Sequence, residues 1–229
     1  MFHSLDNEKT EEATDKNNYR PTVTGVVNDL CLNQVAEIFE DQVNLGQDRE
    51  IFLHYASIYE LSTEQRKLFL DLVDSNIGEF YCRYQGRSWR NNKWIEMQED
   101  GLMYVWYTDD DGNLVGFISF LLTYDEVDKV MYLYEIQVDY RYRKKGIGRL
   151  FIEGFHGLAK KLKNLSQQED SNKILYNEGT NLTVFSDNIL ALAWYRRMGY
   201  TLTDDSPRDK VLRGKILKPD YYLLSKRIM

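Results

Sequence analysis

The chain has 229 residues, of which 43% are hydrophobic, so we expect one domain with a core of its own, with or without an arm. Two cysteines and three histidines exclude a disulfide framework and a zinc site, and the net charge of −7 argues against direct nucleic-acid binding. No apolar run could span a membrane, and the residues after Met1 form neither a signal peptide nor a myristoylation site. A soluble protein of a reducing, intracellular compartment is therefore expected.

The first half of the chain predicts an arm and two helices. Residues 1–20 are polar, charged and without periodicity, and are expected to be flexible or to wrap around the domain. Apolar residues at near-helical spacing predict a helix over 28–44, with Asn28 as its N-cap. A second helix is predicted after Ser62, which opens a capping-box pattern. The aromatic-rich stretch 76–101 shows no period and is expected to be irregular.

Alternation of period 2 then predicts an antiparallel meander. Its first two strands cover 102–108 and 114–123 and are joined by an acidic hairpin turn, and a third strand covers 130–138. A short basic loop with glycines, 141–146, follows this third strand, and helical spacing resumes over 147–165. The pattern is thus strand, loop, helix.

Residues 166–179 are polar and are expected to form a mobile insertion. Regular structure then returns as a buried strand, a helix capped by Asp187 or Asn188, a loop with two prolines and a final strand. These elements cover 181–185, 188–198, 204–220 and 221–226 in that order. The order predicts an α/β or α+β domain over 21–229, with a single mixed, mostly antiparallel sheet flanked by helices.

The charges are segregated along the chain. Residues 93–135 contain ten acids and two bases, whereas residues 141–163 contain eight bases and one acid. Neighbouring segments of opposite sign suggest a cationic partner at the first and an anion at the second.

The basic segment opens with Arg143-Lys144-Lys145-Gly146-Ile147-Gly148-Arg149, between a strand and a helix. Glycines there let the backbone approach a ligand, and exposed N–H groups at a helix start bind phosphate oxygens. A P-loop sequence is absent, and a Rossmann fingerprint would need a glycine where Phe151 stands. The loop therefore predicts a phosphate cradle of another kind.

The loop resembles the Arg-x-x-Gly-x-Gly motif of the GNAT superfamily of N-acetyltransferases, which holds the pyrophosphate of acetyl-CoA. Asn188, Ala191 and Tyr195, followed by Gly199, are similar to the second motif of that superfamily. The resemblance covers roughly residues 60–229 and implies the GNAT fold with acetyl-CoA as cosubstrate and no metal. The positions implied to contact acetyl-CoA are Ile136, Gln137, Val138, Arg143, Lys144, Lys145, Gly146, Ile147, Gly148, Arg149, Asn188 and Tyr195.

A finer resemblance is to the NatD family of N-alpha-acetyltransferases, which act on histone tails. It rests on five separated segments: 132–137, the pair Tyr84 and Trp89, 182–185, 204–207 and 221–227. The resemblance implies that the substrate is the free N-terminal amine of tails that begin Ser-Gly-Arg-Gly, in histones of the H-four and H-two-A types. A histone substrate implies action in the cytoplasm and nucleus. Nothing in the sequence suggests a partner subunit, so a monomer is expected, and charge and hydropathy predict no binding to nucleic acid or membrane.

Glu135 is the candidate general base. An α-amino group has a pKa of about 8, so one positioned base suffices to give the neutral amine that attacks a thioester. Glu135 lies on the strand that leads into the cradle, between Tyr134 and Ile136. Strict alternation would turn Tyr134 and Glu135 to opposite faces, so both reach one site only at a bulge or a splayed edge. The resemblance implies a tyrosine as general acid, and Tyr195 and Tyr134 are the two candidates.

The resemblance also implies a set of peptide-binding positions. They are Tyr84, Trp89, Tyr132, Tyr134, Thr183 and Tyr221, with Asp125 or alternatively Glu126 for the arginine of the tail. Two other functions stay open at this stage. One is an acetyltransferase for lysine or small amines, and the other is a CoA-binding module without activity.

Overall fold

The computed structural model describes residues 23–46, 49–125 and 128–229. The predicted arm over 1–20 and the alternative peptide contact Glu126 lie outside the described residues. Within the described ranges, no helix is both long and apolar enough to cross a membrane.

The centre of the fold is an eight-stranded sheet in the order β1-β2-β3-β4-β5-β6-β10-β7. Its strands are β1 (Gln42–Asn44), β2 (Glu50–Ser57), β3 (Met103–Asp109), β4 (Leu114–Asp125), β5 (Asp128–Val138), β6 (Gly179–Phe185), β7 (Thr201–Leu202) and β10 (Tyr221–Arg227). Only the pairing of β5 with β6 is parallel; the other described pairs are antiparallel. The predicted mixed, mostly antiparallel sheet is confirmed.

Helices cover both faces of this sheet. They are α1 (Val23–Leu32), α2 (Val35–Ile38), α3 (Thr63–Gln85), α4 (Trp89–Glu96), α5 (Ile147–Gln168) and α6 (Ile189–Arg197). Side chains alternate along β3, so Met103, Val105 and Tyr107 pack with α1 and α5, whereas Tyr104 and Trp106 pack with α3 and α4. The flanking helices thus bury one apolar cluster on each face.

The predicted capping box is present at the start of α3. The Ser62 hydroxyl accepts from the Gln65 N–H at 3.1 Å, and the Gln65 amide oxygen accepts from the Ser62 N–H at 2.9 Å. The helix then runs for 23 residues to Gln85. The expectation of an irregular stretch over 76–101 was therefore wrong, because α3 continues through its first ten residues and α4 follows.

Three further predicted segments differ in the structure. The helix expected over 28–44 is split: α1 contains Asn28 in its interior, α2 is one turn long, and β1 begins at Gln42 because it pairs with β2. The insertion expected over 166–179 contains regular structure, since it completes α5, forms a 3₁₀ helix over Asp170–Leu175 and buries Asn177. The loop expected over 204–220 contains a hairpin, β8 (Lys210–Leu212) and β9 (Lys215–Leu217).

Candidate active site

The sheet opens between β5 and β6. These strands pair only where Met131, Tyr132 and Leu133 face Thr180, Asn181 and Leu182. Beyond that point β5 continues to Val138 and β6 to Phe185 without pairing to each other. A cavity of about 920 Å³ lies at this opening, lined by both strands together with α3, α4 and the start of α6.

A bulge in β5 brings neighbouring side chains to this cavity. Ser119 of β4 pairs with Glu135, and Phe120 pairs with Leu133, so Tyr134 is an extra residue in β5. Both Tyr134 and Glu135 line the cavity. The predicted irregularity is present, and it coincides with the point where β6 leaves β5.

Glu135 is 4% exposed and is surrounded by donors. Its Oε1 accepts from the Tyr81 hydroxyl at 2.9 Å and lies 2.5 Å from Lys93 Nζ, while its Oε2 accepts from Gln137 Nε2 at 2.7 Å. Three of the roughly four lone-pair positions of the carboxylate are thus occupied, which leaves one on Oε2. Tyr81 and Lys93 were not identified from the sequence.

The hydroxyl groups of the neighbouring tyrosines, Tyr132 and Tyr134, form hydrogen bonds with residues other than Glu135. Tyr134 donates to a Glu99 carboxylate oxygen at 2.9 Å, and the hydroxyls of Tyr132 and Thr183 are 2.5 Å apart. Burial, together with the nearby Glu99 carboxylate, raises the pKa of Tyr134 far above its usual range. Its hydroxyl therefore stays protonated at any physiological pH.

Tyr195, the other predicted acid, comes from α6. Burial raises the pKa of Tyr195 far above its usual value. Its side chain lines the cavity, and its hydroxyl has no hydrogen-bond partner in the described ranges of the chain. It is therefore a protonated donor without an internal acceptor among these residues.

Lys93 lines the cavity and lies on the same buried face of α4 as Trp89. Its Nζ is 2.5 Å from Glu96 Oε1 as well as 2.5 Å from Glu135 Oε1. Burial alone would lower the pKa of Lys93, but the charge of Glu135 and further groups raises it well above its usual value. Burial raises the pKa of Glu96, whose side chain is 38% exposed and lines the cavity.

The predicted cradle forms the turn before α5. Gly146 is the N-cap of this helix with φ of 89°, and Lys144 also has a positive φ, of 61°. In the described structure the N–H groups of Ile147, Gly148 and Arg149, the first turn of α5, have no hydrogen-bond partner. Such orphan donors at a helix start form an anion site.

Glycine at 148 is not required by the packing of the chain itself. A Cβ at this position would meet only the Trp194 ring, at the ordinary contact distance of 3.7 Å. The side chains of Lys144, Lys145 and Arg149 are exposed beside the loop. Arg143 turns the other way, and its Nε donates to the Val138 carbonyl oxygen at 3.1 Å. The three exposed cations and the open space fit a phosphate group.

Backbone groups of β5 connect the cradle to the carboxylates. The Asp139 N–H donates to the Val115 carbonyl at 2.9 Å, so the backbone groups of Asp139 and Gln137 point toward β4. Because backbone groups alternate in direction along a strand, those of Ile136 and Val138 point toward the opening. Asn188 caps α6, because its side-chain oxygen accepts from the Ala191 N–H at 3.2 Å, and it also lines the cavity. An extended ligand could therefore run along β5 between the two ends.

A model of the acetyltransferase (GNAT) family matches residues 67–200, more than half of the chain. This chain belongs to the acetyltransferase (GNAT) family. It is 36% identical over 155 residues to N-alpha-acetyltransferase 40 of Saccharomyces cerevisiae, a match that covers 60% of this chain and 52% of the yeast protein. The chain thus spans about half the length of this curated relative.

Solved structures of GNAT proteins share the fold. The PaiA N-acetyltransferase of Thermoplasma acidophilum, solved in complex with coenzyme A, has a TM-score of 0.50 at 16% identity, covering 77% of this chain and 98% of that chain. A GNAT-family protein of Desulfovibrio desulfuricans has a TM-score of 0.51 at 14% identity, covering 78% and 99%. At these identities the likeness shows the fold alone.

The GNAT domain brings some of the predicted peptide-binding residues together and leaves others apart. Tyr132, Tyr134, Thr183 and Tyr221 line the cavity. Three others lie away from it. Trp89 is 6% exposed and stacks on Tyr81 at a centroid distance of 5.0 Å, Tyr84 stacks on Phe185 at 5.3 Å, and Asp125 lines a separate cavity of about 380 Å³.

Proposed function

We propose that this GNAT-family chain transfers the acetyl group of acetyl-CoA to the free N-terminal amine of a protein. The observation that carries the proposal is a cavity with the buried Glu135 in its wall and Arg143 at its margin, where the cradle loop begins, followed in the chain by the orphan N–H groups of α5. The likeness to the yeast N-alpha-acetyltransferase 40 supports an α-amine as the acceptor.

Acetyl-CoA fits the residues of the cavity and of the cradle beside it. The N–H groups of Ile147, Gly148 and Arg149 would hold its pyrophosphate, and exposed lysines beside them would neutralise phosphate charge. The backbone groups of Ile136 and the N–H of Val138, which face the opening, are suited to hold the extended arm of the molecule, whereas the Val138 carbonyl already accepts from Asn76 and Arg143. When bound, acetyl-CoA supplies the acetyl thioester on which the reaction depends.

The residues at the other end move protons. Glu135 accepts the proton of the attacking amine at Oε2, the oxygen that has a lone-pair position left. Tyr195 is the preferred donor to the thiolate, because its hydroxyl has no acceptor among the described residues, whereas Tyr134 already donates to Glu99. An α-amine, with a pKa of about 8, is more readily deprotonated than a lysine side chain, with a pKa of about 10.4.

The substrate that we propose is a basic histone tail that begins Ser-Gly-Arg-Gly. Glu96 and Glu99 line the cavity near Glu135 and supply negative charge for such a cationic segment. Tyr132 and Tyr221 would line the slot for its small first residues. For this substrate we propose that the chain acts as a monomer in the cytoplasm and nucleus.

One experiment tests the acceptor. The chain is mixed with acetyl-CoA and with two peptides: one begins Ser-Gly-Arg-Gly with a free amine, and the other has a blocked N-terminus and free lysines. Mass spectrometry should find a single acetyl group on the free N-terminus of the first peptide only. Acetylation of the blocked peptide alone, or of polyamines in a third reaction, would contradict the proposal.

A further inference from the structure

Lys93 is an unusual residue for the position that it occupies. Its side chain is 1% exposed, and it lies between α4 and the sheet, where most buried side chains are apolar or aromatic and Glu135 is a second buried charged group. An ammonium group in such a place is costly unless it is paired and hydrogen-bonded. Here it is paired twice, with Glu96 of its own helix and with Glu135 of β5.

The two carboxylates that meet at Lys93 both line the cavity. The Lys93 ammonium also lies 5.2 Å from the centroid of the Tyr81 ring, and Tyr81 donates to the same Glu135 oxygen that Lys93 contacts. Glu135 Oε1 is therefore fixed by two groups from two helices, while Oε2 faces Gln137 alone. This arrangement decides which oxygen of the carboxylate is left to react.

We propose that Lys93 is a positioning residue: its ammonium orients Glu135 and keeps Glu135 and Glu96 ionised together in one cavity. The inference deepens the proposed function, on which it rests, since it names the group that makes Glu135 available as a base. Lys93 acts through Glu135 and does not itself touch the amine.

The charged and titratable groups around this pair come from five elements and from the loop after α4. They are Tyr81 of α3, Tyr104 of β3, Lys93 and Glu96 of α4, Glu99 of the loop after α4, Glu135 of β5 and Tyr195 of α6. Lys93 is the one cation in this set. Without it, two carboxylates would share a poorly hydrated site, and one of them would take up a proton at a higher pH.

The first test is the pH dependence of catalysis in the variant Lys93→Met, which keeps the length of the side chain and removes its charge. The acid limb of its profile is the pH range in which kcat/KM for the free-amine peptide falls as the pH is lowered. This limb should lie about 1–3 pH units higher than in the unmodified chain. On the acid side of both limbs its activity should therefore be about 10- to 1,000-fold below that of the unmodified chain, and it should be largely recovered at alkaline pH. Lys93→Arg, which retains the charge, should restore part of the acid limb.

Arg90→Met is the matched control. Arg90 is a cation of the same helix that pairs with carboxylates of α3, Asp71 and Asp74, outside the cavity. Its removal should leave the pH profile unchanged. A Lys93→Met profile that keeps its limbs, or that is lowered equally at every pH, would reveal a merely structural lysine and overturn the inference.

A second measurement does not depend on turnover. In Lys93→Met the carboxylate pair takes up a proton on folding, so its free energy of unfolding should fall, relative to the unmodified chain, as the pH rises from about 5 to 8. Adding Glu135→Gln should abolish this pH dependence. A difference between the two chains that is flat with pH would overturn the inference even if the enzyme acetylates the peptide.

The same pair of variants separates the two proposals. If no amine is acetylated, the proposed function fails. The inference about Lys93 can still be tested, because the pH dependence of the free energy of unfolding does not require turnover. If Lys93→Met alone is unfolded, Lys93→Met with Glu135→Gln should fold again, because it no longer buries an unpaired charge. Failure of the double variant to fold would count against the inference.

Discussion

The two ends of the proposed acetyl-CoA site, the cradle and the carboxylate end in the cavity, are built from different parts of the polypeptide. The cradle uses backbone N–H groups from a single turn, with Gly146 in the left-handed region. The carboxylate end uses side chains from α3, α4 and β5, joined through Glu135. Backbone donors stay in place when side chains change, whereas the carboxylate end depends on each hydroxyl, amide and ammonium. Substitutions should therefore affect binding at one end and turnover at the other.

The largest effect is expected from Glu135→Gln, which removes the base but keeps the shape of the side chain. We expect kcat to fall by about 10²–10⁴, with little change in the Kd of CoA measured by calorimetry. Glu79→Gln is the control, because Glu79 is exposed on α3 and does not line the cavity. An unchanged kcat in Glu135→Gln would remove this residue from the mechanism.

Gly148→Trp tests the other end. The protein leaves room at this position, so the chain should fold, but the indole would occupy the space over the orphan N–H groups. Loss of two hydrogen bonds to a charged phosphate, at about 1.5–3 kcal/mol each, should weaken CoA binding by about 100-fold or more. Lys160→Trp, at an exposed position further along α5, should bind CoA normally. Equal affinities would place the pyrophosphate elsewhere.

Tyr81→Phe separates positioning from packing. The ring can still stack on Trp89, but Glu135 loses a hydrogen bond to a charged acceptor, worth about 1.5–3 kcal/mol. We expect kcat to fall by about 10–100-fold while CoA affinity is kept. Tyr104→Phe is the control, since its buried hydroxyl donates to the Met97 carbonyl at 2.6 Å. If kcat falls equally in both variants, the effect comes from the loss of a buried hydroxyl in general and the Tyr81 hydroxyl does not position Glu135.

The cradle could be predicted from sequence because all of its parts are contiguous. A glycine at the left-handed N-cap, a second at the first turn and the flanking cations lie within seven residues, 143–149. The end of β5 was also predictable in part. Side chains alternate between the two faces of a strand, so the neighbours Tyr134 and Glu135 could reach one site only at a bulge or a splayed edge. The structure has that bulge at Tyr134.

The carboxylate end was less predictable because its parts are distant. Tyr81 bonds to a residue 54 positions later, and no local pattern marks that contact. The helix α4 was missed because its buried positions are Trp89 and Lys93, so the face that packs on the protein contains a lysine where periodicity expects an apolar residue. Lys93 thus interrupts the apolar pattern by which α4 could have been predicted, and it also forms the ion pair with Glu135.

The smallest effect is expected from Lys145→Ala in the cradle. Lys145 is exposed, so its charge adds only about 0.3–1 kcal/mol to anion binding, or about 2–5-fold in the Kd of CoA. This difference should shrink as salt rises from about 0.01 M to 1 M, because the screening length falls from about 30 Å to 3 Å. Lys160→Ala, an exposed change further along α5, should alter neither quantity. A large effect of Lys145→Ala that persists in high salt would mean that its ammonium bonds directly to phosphate and that side chains, besides backbone, build the cradle.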